Sequence, residues 1–143
     1  MHFALLDPSL DSYDSQSYLL INMFLTIFTN ICEYTHITTL ATSLAIEEPR
    51  YVLNKITKDF REMTPNKAEA LCCGGSGGLV ALAEYADRRI TAGKPKADQI
   101  KKTGARAVVA ACENCRLQIG DLNEHYNLNV QITALTDLVV RAM

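Results

Sequence analysis

The sequence predicts an α/β domain, a parallel sheet with helices on its faces, occupying residues 47–143 behind a leader of different character. Three observations carry this expectation. From Glu47 onward, stretches with helical spacing of apolar residues alternate with short apolar runs, and that alternation favours parallel strands joined by crossover helices. The run "ARAVVAA" from Ala105 is made of small and β-branched residues without polar alternation, the pattern of a strand buried on both faces. Finally, residues 1–46 contain no lysine or arginine, and all 14 basic residues lie from Arg50 onward. The leader holds only four of the 16 acids, Asp7, Asp11, Asp14 and Glu33, so residues 47–143 carry 14 positive against 12 negative side chains.

Taken in order, "EEPRYVLNKITKDFREM" opens with Pro49 near an acidic first turn, and Tyr51, Val52, Ile56, Phe60 and Met63 follow at roughly helical spacing. Pro65 and Asn66 end that helix. "AEALCC" is short and apolar and reads as a buried strand running into the glycines of "CCGGSGG". "LVALAEYADRRITAG" is helical as far as Gly93, and "KPKADQIKKTG" is a second helix with Pro95 at its start and Gly104 as its stop. The strand "ARAVVAA" leads into "CENC". A helix through "RLQIGDLNEHY", a strand near "NVQITAL" and a last helix "TDLVVRAM" complete the chain. The leader is expected to pack poorly on this fold and to add no strand to it.

Composition narrows the function. With 48% hydrophobic and 21% charged residues and a net charge of −2, nothing points to nucleic acid or an anionic membrane as partner. The apolar run "YLLINMFLTIFTNIC" from Tyr18 falls short of the ~20 residues that a membrane-spanning helix needs. It also lacks the early positive charge of a signal peptide. Five cysteines in an odd count, two of them adjacent, do not make a secreted disulfide framework. A metal or redox site in the cytoplasm is the better expectation.

Four of the cysteines fall where such a site belongs. Cys72 and Cys73 would close one strand and Cys112 and Cys115 another, and ligands bind open parallel sheets at the carboxyl ends of the strands. The four sulfurs are expected within roughly 4–7 Å of one another. Three chemistries compete for them. A thioredoxin-type dithiol would use Cys112 and Cys115, but it leaves Cys72 and Cys73 unexplained, and no proline precedes a late strand as such a fold requires. Structural zinc wants four thiolates in a tetrahedron, for which adjacent residues are awkward because their side chains diverge. An iron–sulfur cluster offers several irons, so adjacent thiolates become useful. Gly74 and Gly75 would then let the backbone lie close and aim N–H groups at sulfur.

The order of a cysteine, a long gap, Cys72-Cys73-Gly74 and then Cys112-x-x-Cys115 resembles the cysteine-rich CCG domain of heterodisulfide reductase-like proteins, a Rossmann-like α/β unit. Within that family, "EEPRYVLNKITKDFREMTPN", "CCGGSGGLVA" and "CENCRLQIGDLNEHY" look most like the C-terminal domain of the DsrK-type iron–sulfur subunits of sulfite-reduction complexes. The resemblance implies a non-cubane [4Fe–4S] cluster on Cys72, Cys73, Cys112 and Cys115, with zinc as the alternative metal. It implies an oxidoreductase of sulfur metabolism that passes electrons to a disulfide or trisulfide carried by a protein or a small molecule. Its partners would be other iron–sulfur domains or subunits and a membrane-bound electron-transfer complex, at the inner face of the cytoplasmic membrane.

The family also expects a fifth cysteine, in a Tyr-His-Asp-Pro-Cys-type stretch ahead of "EEPR". Cys32 is the candidate, although its setting "FTNICEYT" does not match that motif. Residues 37–45, "ITTLATSLA", allow codons that spell His-Asp-Pro-Cys-Asn-Ile-Ala-Arg when read one base out of register. The leader is therefore read as out of frame, and the chain as impaired in catalysis. Among the remaining polar residues, His125 is a candidate proton donor to a departing thiolate, set against the plainer reading of an exposed helix-end histidine. Arg88, Arg89, Lys94 and Lys96 read as a solvated basic face.

Overall fold

A computed structural model describes residues 2–5 and 43–143. Cys32, and most of the stretch read as out of frame, lie outside them. The elements in chain order are β1 (His2–Leu5), α1 (Ser43–Ile56), β2 (Phe60–Glu62), α2 (Ala86–Thr103), β3 (Ala107–Ala110), α3 (Glu113–Tyr126), β4 (Gln131–Ala134) and α4 (Leu135–Ala142). Short 3-10 turns at Lys67–Glu69, Gly77–Ala81 and Ala83–Tyr85 join β2 to α2. No helix among the described residues is long and apolar enough to cross a membrane.

The sheet order is β2-β1-β3-β4. The α/β class stands: β3 and β4 are parallel, with Ala107 opposite Gln131 and Ala110 opposite Ala134, and helices cover the sheet. The sheet is mixed, however, because β1 runs antiparallel to both of its neighbours. β1 also corrects the expectation that the leader adds no strand, since His2–Leu5 lies between β2 and β3 with Ala4 fully buried.

Side chains along β3 alternate between two cores, as the two-residue period of a strand requires. Ala107 and Val109 face Val52, Leu53 and Ile56 of α1 and Leu135, Leu138 and Val139 of α4. Val108 and Ala110 face Ile100 of α2, Ile119 of α3, Met63, Val130 and Cys73. The prediction of a strand buried on both faces holds for every residue of β3.

Three boundaries differ from the sequence reading. The first helix stops at Ile56 rather than at Met63. Thr57 donates both its N–H and its hydroxyl to the Leu53 carbonyl, at 2.9 and 2.8 Å, and Phe60–Glu62 then pairs with β1. Arg50 fixes this turn by a fork on Glu62, with Nη2 to Oε2 at 2.9 Å. The strand expected at "AEALCC" does not form. β1 and β4 occupy both edges of β3, so this segment has no partner there; it makes a 3-10 turn and continues as an irregular loop through Cys72 and Cys73. Finally, the two helices expected on either side of Gly93 are one helix, α2, with Gly93 and Pro95 inside it. The missing Pro95 N–H costs one helical hydrogen bond, and packing against the Cys73 loop and α3 offsets that cost.

Candidate functional site: a thiol edge

Two segments bring the thiols together. β3 ends at Ala110, and two residues later Cys112 caps α3, with an extended backbone and its carbonyl accepting the Arg116 N–H at 3.0 Å. Cys112 and Cys115 therefore sit at the N-terminal end of α3, one turn apart. The Cys72–Gly75 loop meets them from the other side. Cys73 Sγ and Cys115 Sγ share a hydrogen bond at 3.4 Å, and the Gly74 N–H reaches Cys72 Sγ at 3.4 Å. Cys112 lies one helical turn before Cys115 and Cys72 adjoins Cys73, so the Cys73–Cys115 contact joins the two cysteine segments. Cys73 is buried, Cys112 and Cys115 are half-buried, Cys72 is exposed, and all four are unpaired by disulfides.

Their titration is shared. The hydrogen bond with Cys115 comes first, followed by the Gly75 N–H and Cys72, and together they hold Cys73 down to about 6 against the opposing effect of burial. The same hydrogen bond and burial push Cys115 upward, so the pair keeps one proton on Cys115 and one negative charge on Cys73.

The glycines serve a different purpose from the one the sequence reading gives them. Gly74 adopts φ +89°, a left-handed conformation that suits only glycine, and a Cβ there would lie 2.7 Å from the Gly93 nitrogen and 2.8 Å from the Arg89 carbonyl. A Cβ on Gly93 would in turn stand 2.6 Å from the Cys73 carbonyl and 2.7 Å from a Leu122 methyl. Gly74 and Gly93 therefore let the cysteine loop and α2 touch backbone to backbone. A Cβ on Gly75 would meet Val80 and Gln118 at 3.0 and 3.1 Å. The N–H groups of Gly74 and Gly75 are directed at the sulfurs of Cys72 and Cys73. Gly93, read as a helix stop, is the packing residue that the sequence analysis missed.

The basic face is also corrected. Arg88 and Lys94 are exposed, whereas Arg89 and Lys96 are buried. Arg89 bonds Gln118 Oε1 and, at 2.8 Å, Asp121 Oδ2, and Gln118 returns its amide N–H to the Arg89 carbonyl at 3.0 Å. Lys96, 2% exposed, donates to Gln99 Oε1 at 2.7 Å, and Gln99 donates to the Pro65 carbonyl at 2.8 Å. Burial pulls Lys96 below the ordinary lysine range, and the sulfurs of Cys73, Cys115 and Cys72 partly oppose that shift. His125 is exposed in the last turn of α3, edge-on to Tyr126. At 1.5 Å per residue the helix holds it about 20 Å from Cys112, out of reach of the thiols.

The donor chemistry suits a thiolate-ligated iron–sulfur group: four soft sulfurs from two loops, and backbone N–H donors on two of them. Among the described residues, no three His, Cys, Asp or Glu side chains converge on a point as a single-ion site.

Fold and thiols together define a cysteine-rich α/β domain with a redox-capable or metal-holding edge. The chain belongs to the CCG family: the model for its cysteine-rich domain matches residues 32–120. It is 27% identical over 104 residues to an Hdr-like menaquinol oxidoreductase iron–sulfur subunit of Archaeoglobus fulgidus, covering 68% of this chain and 19% of that one. It is 35% identical over 95 residues to a fumarate reductase (CoM/CoB) subunit of Methanothermobacter marburgensis, covering 64% and 18%. Against a dihydromethanophenazine:CoB–CoM heterodisulfide reductase subunit of Methanosarcina barkeri, it is 28% identical over 96 residues, covering 66% and 23%. The chain thus spans about a fifth of the length of these relatives. No solved structure matches it.

Proposed function

We propose that residues 47–143 form the cluster-binding domain of a heterodisulfide reductase-like oxidoreductase, of the DsrK type that serves sulfur metabolism. Cys72, Cys73, Cys112 and Cys115 would hold a non-cubane [4Fe–4S] cluster, with the Gly74 and Gly75 backbone against it. When bound, such a cluster supplies single electrons at the sheet edge, where two electrons and two protons convert a disulfide to two thiols. The electrons would come from iron–sulfur domains or subunits of the same assembly, docked at the inner face of the cytoplasmic membrane. The reduced sulfur substrate would be a disulfide- or trisulfide-carrying protein or small molecule.

The observation that carries this reading is the 3.4 Å contact between Cys73 and Cys115. It joins the two cysteine motifs to each other. A thioredoxin-type dithiol would instead pair Cys115 with Cys112. The names of the relatives, all oxidoreductase or reductase subunits and one an iron–sulfur subunit, support the same class.

The fifth thiolate has two candidates: Cys32, and the cysteine of the motif that residues 37–45 would spell one base out of frame. Sequencing the encoding DNA decides whether the second is available. Cys32→Ser in the present chain decides the first.

Anaerobic reconstitution with iron and sulfide, read by visible absorption and by iron per protein, tests the proposal. A broad charge-transfer absorption is expected in the parent chain and its loss in Cys73→Ser and Cys115→Ser. Uptake of zinc with no iron chromophore would move the chain to a structural, non-catalytic role.

A further inference from the structure

Helix α2 crosses beneath the cysteine loop at the Gly74–Gly93 contact, and one turn further on it carries a lysine that lies inside the protein. Burying an ammonium is costly unless charge and hydrogen bonds compensate it. Among the described residues, Lys96 has a single hydrogen-bond partner, Gln99, and no carboxylate pairs with it. The groups that act against this burial are the sulfurs of Cys73, Cys115 and Cys72, in that order, and the Cys73 backbone lies against α2 at Gly93, one turn before Lys96. Gln99 is itself held by the Pro65 carbonyl at 2.8 Å, so the ammonium is fixed in place. Its neighbours on α2 show how specific this placement is: Lys94 points outward to Asp98 at 2.8 Å, and Lys101 and Lys102 are exposed.

Resting on the proposed cluster-binding role, we propose that Lys96 is a positioning residue for the redox centre, a fixed buried cation that raises its reduction potential and is oriented by the Gln99–Pro65 relay. Adding an electron to a group already ringed by thiolates adds negative charge in a poorly solvated place. A nearby fixed cation stabilises the reduced form more than the oxidised form and so moves the potential upward. The two α2 residues that looked like helix punctuation, Gly93 and Pro95, sit in the stretch that runs from the cysteine-loop contact to Lys96. Placing the cation on a helix rather than on the cysteine loop keeps its distance from the thiols set by the fold.

The test is a redox titration of the reconstituted full chain, following the cluster by its electron paramagnetic resonance or visible signal. Lys96→Met removes the charge at nearly constant shape, and sparing the desolvation cost of the ammonium favours its folding. Its midpoint potential is expected to fall by about 59 mV or more, a tenfold shift of the one-electron equilibrium. Lys96→Arg should stay near the parent value, and Lys101→Met, on the exposed face of the same helix, should match the parent. Iron content per folded protein should be equal in all four. If Lys96→Met does not fold, Lys96→Gln is read in its place with the same expectation. A midpoint unchanged on loss of the charge, or an equal fall in Lys96→Arg, overturns the role of Lys96 and leaves cluster binding standing. A parent chain that takes up no iron–sulfur chromophore overturns cluster binding and the role of Lys96 with it.

Discussion

The two faces of the sheet are built from different materials. On one, α1 and α4 press Val52, Leu53, Ile56, Leu135, Leu138 and Val139 against Ala107 and Val109, and the buried polar residues of α1 and its end, Arg50 and Thr57, are held by Glu62 and the Leu53 carbonyl. On the other, α2 and α3 enclose Ile100, Ile119, Val108 and Ala110, but the same layer also buries Cys73, Arg89, Lys96, Gln99 and Gln118. A buried polar group stabilises nothing by being buried, and at best it recovers its desolvation cost through its partners. The first face holds the fold, and the second uses part of that stability to keep charge and sulfur in fixed positions. One strand, β3, serves both faces, and the thiol-bearing helix α3 starts three residues beyond its end.

The largest effect should come from the face without chemistry. Leu53 is fully buried between β3 and α4, and Leu53→Ala should cost about 2–5 kcal/mol. Urea unfolding would show it as a lower midpoint at an unchanged slope. Below that midpoint, the thiol edge should take up iron as the parent does. A variant that loses cluster uptake while still folded would show that the two faces are not separable.

Gly93→Ala probes the second face, and the sign of its effect is informative. In an ordinary helix the change is worth about 1 kcal/mol in favour of alanine. Here the added methyl would lie 2.6 Å from the Cys73 carbonyl and 2.7 Å from Leu122, so the cysteine loop must move away from α2. A net loss of about 1–3 kcal/mol is expected, with lower iron retention even at temperatures where the variant remains folded. A stabilised variant with normal iron content would mean that the loop does not rest on the helix.

The two faces were not equally legible in the sequence. The first face follows from periodicity: β3 stands out as an unbroken apolar run, and α4 and the first half of α1 follow from their apolar spacing. On the thiol face the cysteines themselves are visible, as are their two-loop grouping and the family they resemble. What carries them is not. "AEALCC" looks like a strand because it is short and apolar, yet whether it pairs depends on which strands already flank β3, and β1 comes from the far end of the chain. Gly93 and Pro95 look like breakers because local propensity says so, and only contact with a distant loop keeps α2 whole. Lys96 and Arg89 look like surface residues because charged side chains almost always are. Their burial depends on partners that come from elsewhere in the sequence, Pro65 through Gln99 for one and Gln118 and Asp121 for the other. The legible part is what a segment decides alone, and the illegible part is what two segments decide together.

The smallest effect is expected at the one polar residue that local sequence made attractive as a proton donor. His125 follows the thiol motif on the same helix, and in the linear sequence it is only ten residues from Cys115. The structure turns that nearness into separation, since α3 is continuous from Glu113 to Tyr126 and carries His125 to its far end. Thiols gather at one end of this helix and His125 at the other, where replacing an exposed side chain changes stability by about 0.5 kcal/mol or less. The side chain is exposed, and its ring meets that of Tyr126 edge-on, at 4.7 Å between centroids. His125→Ala should therefore cost no more than that fraction of stability and should leave iron content, visible spectrum and midpoint potential at the parent values. A loss of disulfide-reducing turnover in His125→Ala with the potential unchanged would place a proton path along α3 and break the division between the two ends of that helix.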